Sequence, residues 1–431
     1  MTVDFRDAQT VRNTVILFGI LFISIIVRLI YFEVVVGHDD YVNFRSWDGW
    51  GEISRAVADD KGYVSTRLLT YFQTDNEINT AARSPIPILI NAGLIKLFGD
   101  IDIPIAFFQA LLEAATCFGM FYLARFLGLP TWLSLLSTTA YALFPPAIHY
   151  SQNMGDSAIS ILLTLLLFIL LMHDNGSGGP RYLMACGVIL AILSLSRPTY
   201  LVPTALVFAG YAILFLFKRV TLATWLGLFA SVTIFCGLLA PWVLRNQTVF
   251  ERPIVATTLG GYNIYRHNHI LEKPDYLEVG FVRFQDSERN VLQLFEDSFQ
   301  DWRGQSETAL DAVLRKEGLR IVFTHFDRFV ILSLQRAFNF FFSFGGEIKL
   351  LAVAILTPLY LMALAGAVLL YRRYPFPMTL LSLTFIANVA IHAAMSAMFR
   401  NMLYFVPVLI VFSAVCLSAL VQRYWPNSRF V

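Results

Sequence analysis

Ten apolar stretches of near bilayer-crossing length recur along this chain, at about 14–36, 103–124, 131–148, 156–172, 182–196, 199–217, 222–242, 348–370, 377–396 and 402–422. A helix needs about 20 apolar residues to cross the hydrocarbon core, because every backbone N–H and C=O must be paired inside the bilayer. The repetition implies an all-α polytopic membrane protein of about ten transmembrane helices. The stretch at 182–196 is short, and a further run, Ile86 to Phe98, has the length of an interfacial or re-entrant helix.

Composition closes off other classes. Of the 431 residues 57% are hydrophobic and only 14% charged, which excludes a soluble globular domain for most of the chain. The formal net charge of +2, with no basic tail or run, argues against nucleic acid as a partner. Cys117, Cys186, Cys236 and Cys416 all lie in apolar runs without metal-type spacing and read as small core residues. No convincing small-residue cleavage site follows Tyr31, so the first run reads as a retained span.

Orientation follows from the short loops. With Ile86 to Phe98 not crossing, one face carries Arg6, Arg12, Arg125, Arg181, Lys218, Arg219, Arg372, Arg373, Arg423 and Arg429, and the other carries Arg197 and Arg400. The positive-inside rule then makes both termini cytoplasmic. The expected organisation is a bundle over 1–242 that includes a first outer loop at 37–85, a large outer region at 243–347, and C-terminal spans over 348–431. In the second outer region Thr257 to Asn268 reads as turn-rich. Thr308 to Phe342 alternates apolar and charged positions, among them Arg315, Lys316, Arg320, Arg328 and Arg336, at the spacing of an interfacial amphipathic helix pair.

Ionisable residues at the rim of spans are costly and mark function, which narrows the search to one face. Asp39, Asp40, Asp48 and Glu52 lie in the first outer loop with Tyr41, Phe44, Trp47 and Trp50 among them. Aromatic faces beside carboxylates suit a sugar, the ring packing on the apolar pyranose face while the acids accept hydroxyl hydrogen bonds. An interfacial aromatic belt with solvated acids accounts for the same residue types. Arg197, in an Arg-Pro break between spans, Arg245 and Arg400 have the fork that grips a phosphate, or else snorkel as helix-end anchors. His149 reads as a hydrogen-bonded interfacial residue, and the Gly260-Gly261 pair as a turn that admits close backbone approach.

Five segments taken in order resemble the GT-C glycosyltransferases of the dolichyl-phosphate-mannose protein mannosyltransferase and lipid A aminoarabinose transferase type. They are DGWGEISRAVADDKGY, RSPIPILINAGLIKLFG, LFPPAIHYSQNMGDSAISILL, LSRPTYL and APWVLRNQTVFERPIVATTLGGYNIYRHN. The resemblance implies a GT-C-like fold in the inner membrane and a site on the periplasmic face. It also implies a polyprenyl-phosphate-sugar donor, a glycan, lipid or protein acceptor, and inversion at the anomeric carbon. Carried over residue by residue, it makes Asp48 the general base, with Asp40 as competitor because the family's spacing between acid and aromatic fits Asp40 to Phe44. Arg83, Arg197, Arg245 and Arg400 become candidates for the donor phosphate. Trp50, Glu52, Asp156, Thr258 and Asn263 become candidates for the sugar and acceptor pocket. A divalent cation, Mg or Mn, stays open, since the carboxylates suffice but no spacing demands one. A surface-polysaccharide ligase or polymerase, dependent on arginines and a histidine of the second outer region, is the alternative. A flippase is disfavoured, because no related halves are found and the charges gather at one face.

Overall fold

The computed structural model describes residues 5–37, 49–99, 102–152, 155–218, 220–279, 284–344, 347–348, 350–395 and 398–424. The first helix, α1 (Phe5–Tyr31), ends in a wider π-type turn, Phe32–Val36. The first hydrophilic loop contains α2 (Trp50–Ala58), an antiparallel hairpin of β1 (Val64–Leu68) and β2 (Phe72–Asn79), and α3 (Pro85–Phe98). Then come α4 (Asp102–Phe126), α5 (Thr131–Ala142), α6 (Pro145–Ser151), α7 (Ser157–Asp174), α8 (Pro180–Ser196), α9 (Leu201–Lys218) and α10 (Leu222–Phe250). The second hydrophilic region holds α11 (Gly260–Asn268), α12 (Tyr276–Val279), α13 (Phe284–Ser298), α14 (Glu307–Thr324) and α15 (Phe326–Phe342). After a two-residue-stranded hairpin, β3 (Ser343–Phe344) and β4 (Glu347–Ile348), the chain finishes with α16 (Leu350–Arg373), α17 (Pro375–Ala394), α18 (Phe399–Met402) and α19 (Val406–Tyr424).

Among the described residues eight helices are long and apolar enough to cross a membrane, which makes this a multi-pass membrane protein. Two apolar helices are shorter, Pro85–Phe98 and Pro180–Ser196. At 1.5 Å per residue the first spans about 21 Å, short of the roughly 30 Å core. The expected stretch at 131–148 is not one helix. It breaks at Leu143 and Phe144 into α5 and α6, because Pro145 and Pro146 lack the N–H groups that would continue α5.

Three further expectations are corrected. Thr257 to Asn268 is helical from Gly260 onward, its glycines serving contact with α14 in place of a turn. A Cβ on Gly261 would lie 2.0 Å from the Asp311 carbonyl oxygen, so only glycine lets the two helices approach this closely. Cys236 is exposed on the surface of α10 and is no core residue, whereas Cys117, Cys186 and Cys416 are buried. Charge does not gather only at one face: Arg28 of α1 and Glu113 of α4, both fully buried, form an ion pair at 3.0 Å between spans. The helix pair expected over Thr308 to Phe342 is present as α14 and α15, but only α15 separates its apolar and polar residues onto opposite faces.

The two hydrophilic regions share an apolar core, in which Leu68, Leu69 and Phe72 of the first pack with Tyr262, Phe295, Trp302 and Leu314 of the second. Phe72 meets the rings of Tyr262, Phe295 and Trp302 at centroid distances of 5.6–6.2 Å. This shared core joins two loops distant in sequence into one cap on the bundle.

Candidate active site

Asp40 and Asp48 lie outside the described residues. From Gly49 onward the first loop is held by the cap. Trp50 is buried at the start of α2, with the Arg83 guanidinium 5.4 Å above its ring. Glu52 accepts from the Thr66 hydroxyl at 2.8 Å and from the Thr66 N–H, which ties α2 to β1. Arg83 also donates to the Thr70 hydroxyl at 3.2 Å and lies 5.9 Å from the Tyr71 ring.

Tyr71 stacks on Tyr262 of α11 at 5.0 Å, and Arg266 lies 5.8 Å from both rings. Two guanidiniums therefore lie against a stacked tyrosine pair contributed by both hydrophilic regions. Burial pushes the Tyr262 phenol up, so it stays a neutral hydroxyl at physiological pH.

The arginines from the sequence divide by environment. Arg245, half-buried on α10, donates to the Thr80 carbonyl at 2.8 Å, the Tyr63 carbonyl at 3.0 Å and the Asn246 side chain at 2.9 Å. Its fork holds the first loop to the bundle. Arg197 donates to Asp156 at 2.8 Å and to Asn401 at 2.6 Å, and its guanidinium lies 4.4 Å from the Tyr404 ring. His392 approaches it at 3.3 Å. Two predicted residues, Arg197 and Asp156, are thus brought together in a polar knot that ties the ends of α7 and α8 to α17 and α18.

Arg400 is exposed at the start of α18 and, among the described residues, forms no ion pair. Its charge acts on Tyr150, Tyr404 and His267, which places it beside both the knot and α11. Thr258 donates to Glu307 at 2.8 Å, and Asn263 lies half-buried in the first turn of α11. His149 accepts from or donates to the Tyr31 hydroxyl at 2.7 Å, as an interfacial residue does.

Four residues were not among the sequence candidates. Arg336 of α15 is 3% exposed, yet its hydrogen bonds go to neutral oxygens: the Asn268 side chain at 3.0 Å, the His267 carbonyl and, at 3.5 Å, the Ala394 carbonyl. Burial alone pushes its guanidinium down to about 9. His267 is buried beside it and is held well below its ordinary value of 6.5, first by burial and then by the charges of Arg266, Arg336, His269 and Arg400. Glu307, buried at the start of α14, accepts from Thr80, Ala81 and Thr258. Arg336 stood in the sequence only as one charge in an amphipathic pattern, and nothing in that pattern separates a buried arginine from an interfacial one. Arg266 and His267 sit in the RHN end of the segment that begins APWVLRN, where membership of that segment was the available signal.

Among the described residues no three His, Cys, Asp or Glu side chains converge as a metal ligand set. Glu52 and Glu307 are taken up by hydroxyl and N–H donors, and Asp156 holds Arg197. These three carboxylates, taken up by protein donors, are not placed to hold Mg or Mn, and the other first-loop acids, Asp39, Asp40 and Asp48, lie outside the described residues.

The chain superposes on the archaeal oligosaccharyltransferase AglB of Archaeoglobus fulgidus in complex with an inhibitory peptide and dolichol-phosphate. The TM-score is 0.56 at 15% identity, over 96% of this chain and 51% of that one. Over the matched region the fold is that of this oligosaccharyltransferase. The same archaeal enzyme tethered to an acceptor peptide with the NVT sequon gives a TM-score of 0.56 at 16% identity, covering 95% and 50% of the two chains. Its apo form gives 0.53 at 16% identity, covering 94% and 51%. The chain spans about half the length of these structures. Residues 82–244, less than half of the chain, match the sequence profile of the dolichyl-phosphate-mannose-protein mannosyltransferase family. No curated protein matches the sequence significantly.

Proposed function

We propose that this GT-C protein is an integral-membrane glycosyltransferase that moves a sugar from a polyprenyl-phosphate donor to a hydroxyl of a glycan, lipid or protein. It does so on the periplasmic face of the inner membrane, with both termini cytoplasmic. The observation that carries the reading is the buried Arg336 guanidinium beside a neutral His267, with Arg400 close enough to act on that imidazole, at the end of α17. A guanidinium buried among neutral oxygens costs much of its hydration without a compensating charge, and an anionic ligand at the site offsets that cost. A lipid phosphate at the membrane rim has the required charge, and the AglB structure of the same fold was solved with dolichol-phosphate.

In this scheme the donor brings its own leaving group. As the glycosidic bond breaks, negative charge grows on the departing phosphate oxygen. Arg400 meets that charge at the rim, and Arg336 stabilises it more strongly than water would because it is buried. Arg197, already neutralised by Asp156, keeps the ends of the spans in register and borders the phosphate. Asp48, with Asp40 as the second candidate, takes the proton of the attacking hydroxyl, and attack opposite the phosphate inverts the anomeric carbon. The stacked Tyr71 and Tyr262 pair, Trp50, Asn263 and Arg83 line the sugar side. Glu52, Thr258 and Arg245 hold the loops that carry it.

The position of Arg266, His267 and Arg336 in the second outer region also favours the polysaccharide ligase or polymerase reading. There the first-loop acids are dispensable. The deciding experiment is mass spectrometry of the glycans, lipids and proteins of a deletion strain, together with binding of polyprenyl monophosphate to the purified protein. One glycan class missing a sugar, with saturable binding, supports transfer. An unchanged glycan profile, or no binding, overturns it.

A further inference from the structure

We propose that Glu307 is a positioning residue for sugar transfer, its carboxylate clasping the Leu69–Thr70 corner of the first outer loop to the second outer region so that the two halves of the site keep their spacing. The inference rests on the proposed glycosyl transfer at this site. Glu307 is 1% exposed and its oxygens accept four bonds: Leu69 N at 3.0 Å, Thr80 Oγ1 at 2.8 Å, Ala81 N at 2.9 Å and Thr258 Oγ1 at 2.8 Å. Three of the donors belong to the first loop, and the fourth stands where the chain enters α11.

The corner it holds is strained. Leu69 and Thr70 take left-handed backbone angles, with φ of 51° and 65°, and both side chains are fully buried. Such angles are rare outside glycine, rarest for a β-branched residue, and persist only where surrounding contacts impose them. Glu307 imposes one by fixing the Leu69 N–H, and Arg83 imposes the other by donating to the Thr70 hydroxyl at 3.2 Å. The imposed corner then presses on the start of α2. A Cβ on Gly49, itself at φ 76°, would lie 3.0 Å from the Thr70 methyl. Gly49 is the residue after Asp48 in the chain.

One turn further along α14, Asp311 accepts from the Tyr262 N–H at 3.0 Å and fixes the start of α11, which carries Arg266 and His267. Glu307 and Asp311 thus share one helix face, and that face sets the first loop against α11. A shift of about 1 Å between reacting groups costs on the order of 100-fold in rate even when the lost contact is remote from the chemistry. The proposed phosphate contacts, Arg336 of α15 and Arg400 of α18, are not among the four donors that Glu307 holds.

The test compares full-length Glu307→Gln and Thr258→Val proteins with the wild type. Binding of polyprenyl monophosphate to purified protein and the glycan made by a complemented deletion strain are read side by side. The amide keeps the shape but loses acceptors for two of the four donors. The expected result is that Glu307→Gln binds the probe within about 2-fold of wild type while product formation falls on the order of 100-fold. Thr258→Val, which removes one hydroxyl, should fall between the two. Hydrogen exchange over the peptide 64–82 should quicken in the same order. Parallel loss of binding and product in Glu307→Gln shows a merely structural role and overturns the inference, as does unchanged product. Failure of the wild type to bind the probe overturns the proposed transfer itself and the inference with it, so the two failures are told apart by which protein fails.

Discussion

Removing one partner of the Arg28–Glu113 pair is expected to unfold far more protein than removing both. Both side chains are fully buried, and the guanidinium donates to Glu113 at 3.0 Å, the Ser24 hydroxyl at 2.7 Å and the Ala142 carbonyl at 3.0 Å. The same Glu113 oxygen accepts from Tyr141 at 2.9 Å. Glu113→Leu leaves a cation that stays charged at any working pH among neutral oxygens between spans, a loss of about 3–5 kcal/mol. Arg28→Met leaves a carboxyl, which can neutralise itself by taking up a proton. That uptake costs about 1.4 kcal/mol per pH unit above an unperturbed value of about 4.3, hence about 4 kcal/mol at pH 7 and about 1 at pH 5. The double variant Arg28→Met with Glu113→Leu exchanges the pair for apolar side chains and should lie within about 1 kcal/mol of wild type or above it. Denaturant titration of the purified protein in mixed micelles at pH 7 and pH 5 reads all three. Single variants that each cost under about 1 kcal/mol would refute the buried-pair argument. A folded double variant that has lost transfer would refute the assignment of the pair to the frame and reopen the transporter reading.

The site gives three other expected outcomes. Asp48→Asn should abolish transfer with polyprenyl monophosphate binding intact; full activity there, with loss in Asp40→Asn, moves the base to Asp40. Arg400→Ala should weaken polyprenyl monophosphate binding by about 10- to 100-fold, because a charge-assisted contact is lost, and equal binding would remove Arg400 from the phosphate. His267, with its folded pKa lowered by burial and by neighbouring arginines, binds fewer protons in the folded than in the unfolded state near its ordinary value of 6.5. Its contribution to stability is therefore full above that value and is lost as pH falls below it, so unfolding titrations from about pH 7.5 to about pH 5 should show a slope that His267→Gln reduces.

How far the site was legible depends on whether a residue's role lies in its type or in its partners. Asp156 and Arg197 were readable because a charge at the rim of an apolar run is costly wherever the chain folds, and they meet at 2.8 Å. Arg245 was found by the same rule, but its guanidinium goes to the carbonyls of Tyr63 and Thr80, which only folding brings near. Glu307 carried no local signal. An acid in a hydrophilic region reads as solvated until its donors close around it, and here three of the four come from 226 to 238 residues away. The turn expected at Gly260 became a helix for a related reason: contact with α14 outweighs a local preference of about 1 kcal/mol per glycine.

By itself the sequence determined the membrane class, the helical frame and the two hydrophilic regions, because the bilayer punishes unpaired backbone and unpaired charge regardless of tertiary detail. The tertiary structure alone decided which arginines hold the frame and that Arg336 is buried among neutral oxygens. It also decided that the first loop is set by α14 and that Arg28 and Glu113 meet between spans. Each of these is a pairing across sequence distance, and pairing is fixed by packing geometry, which no local pattern encodes.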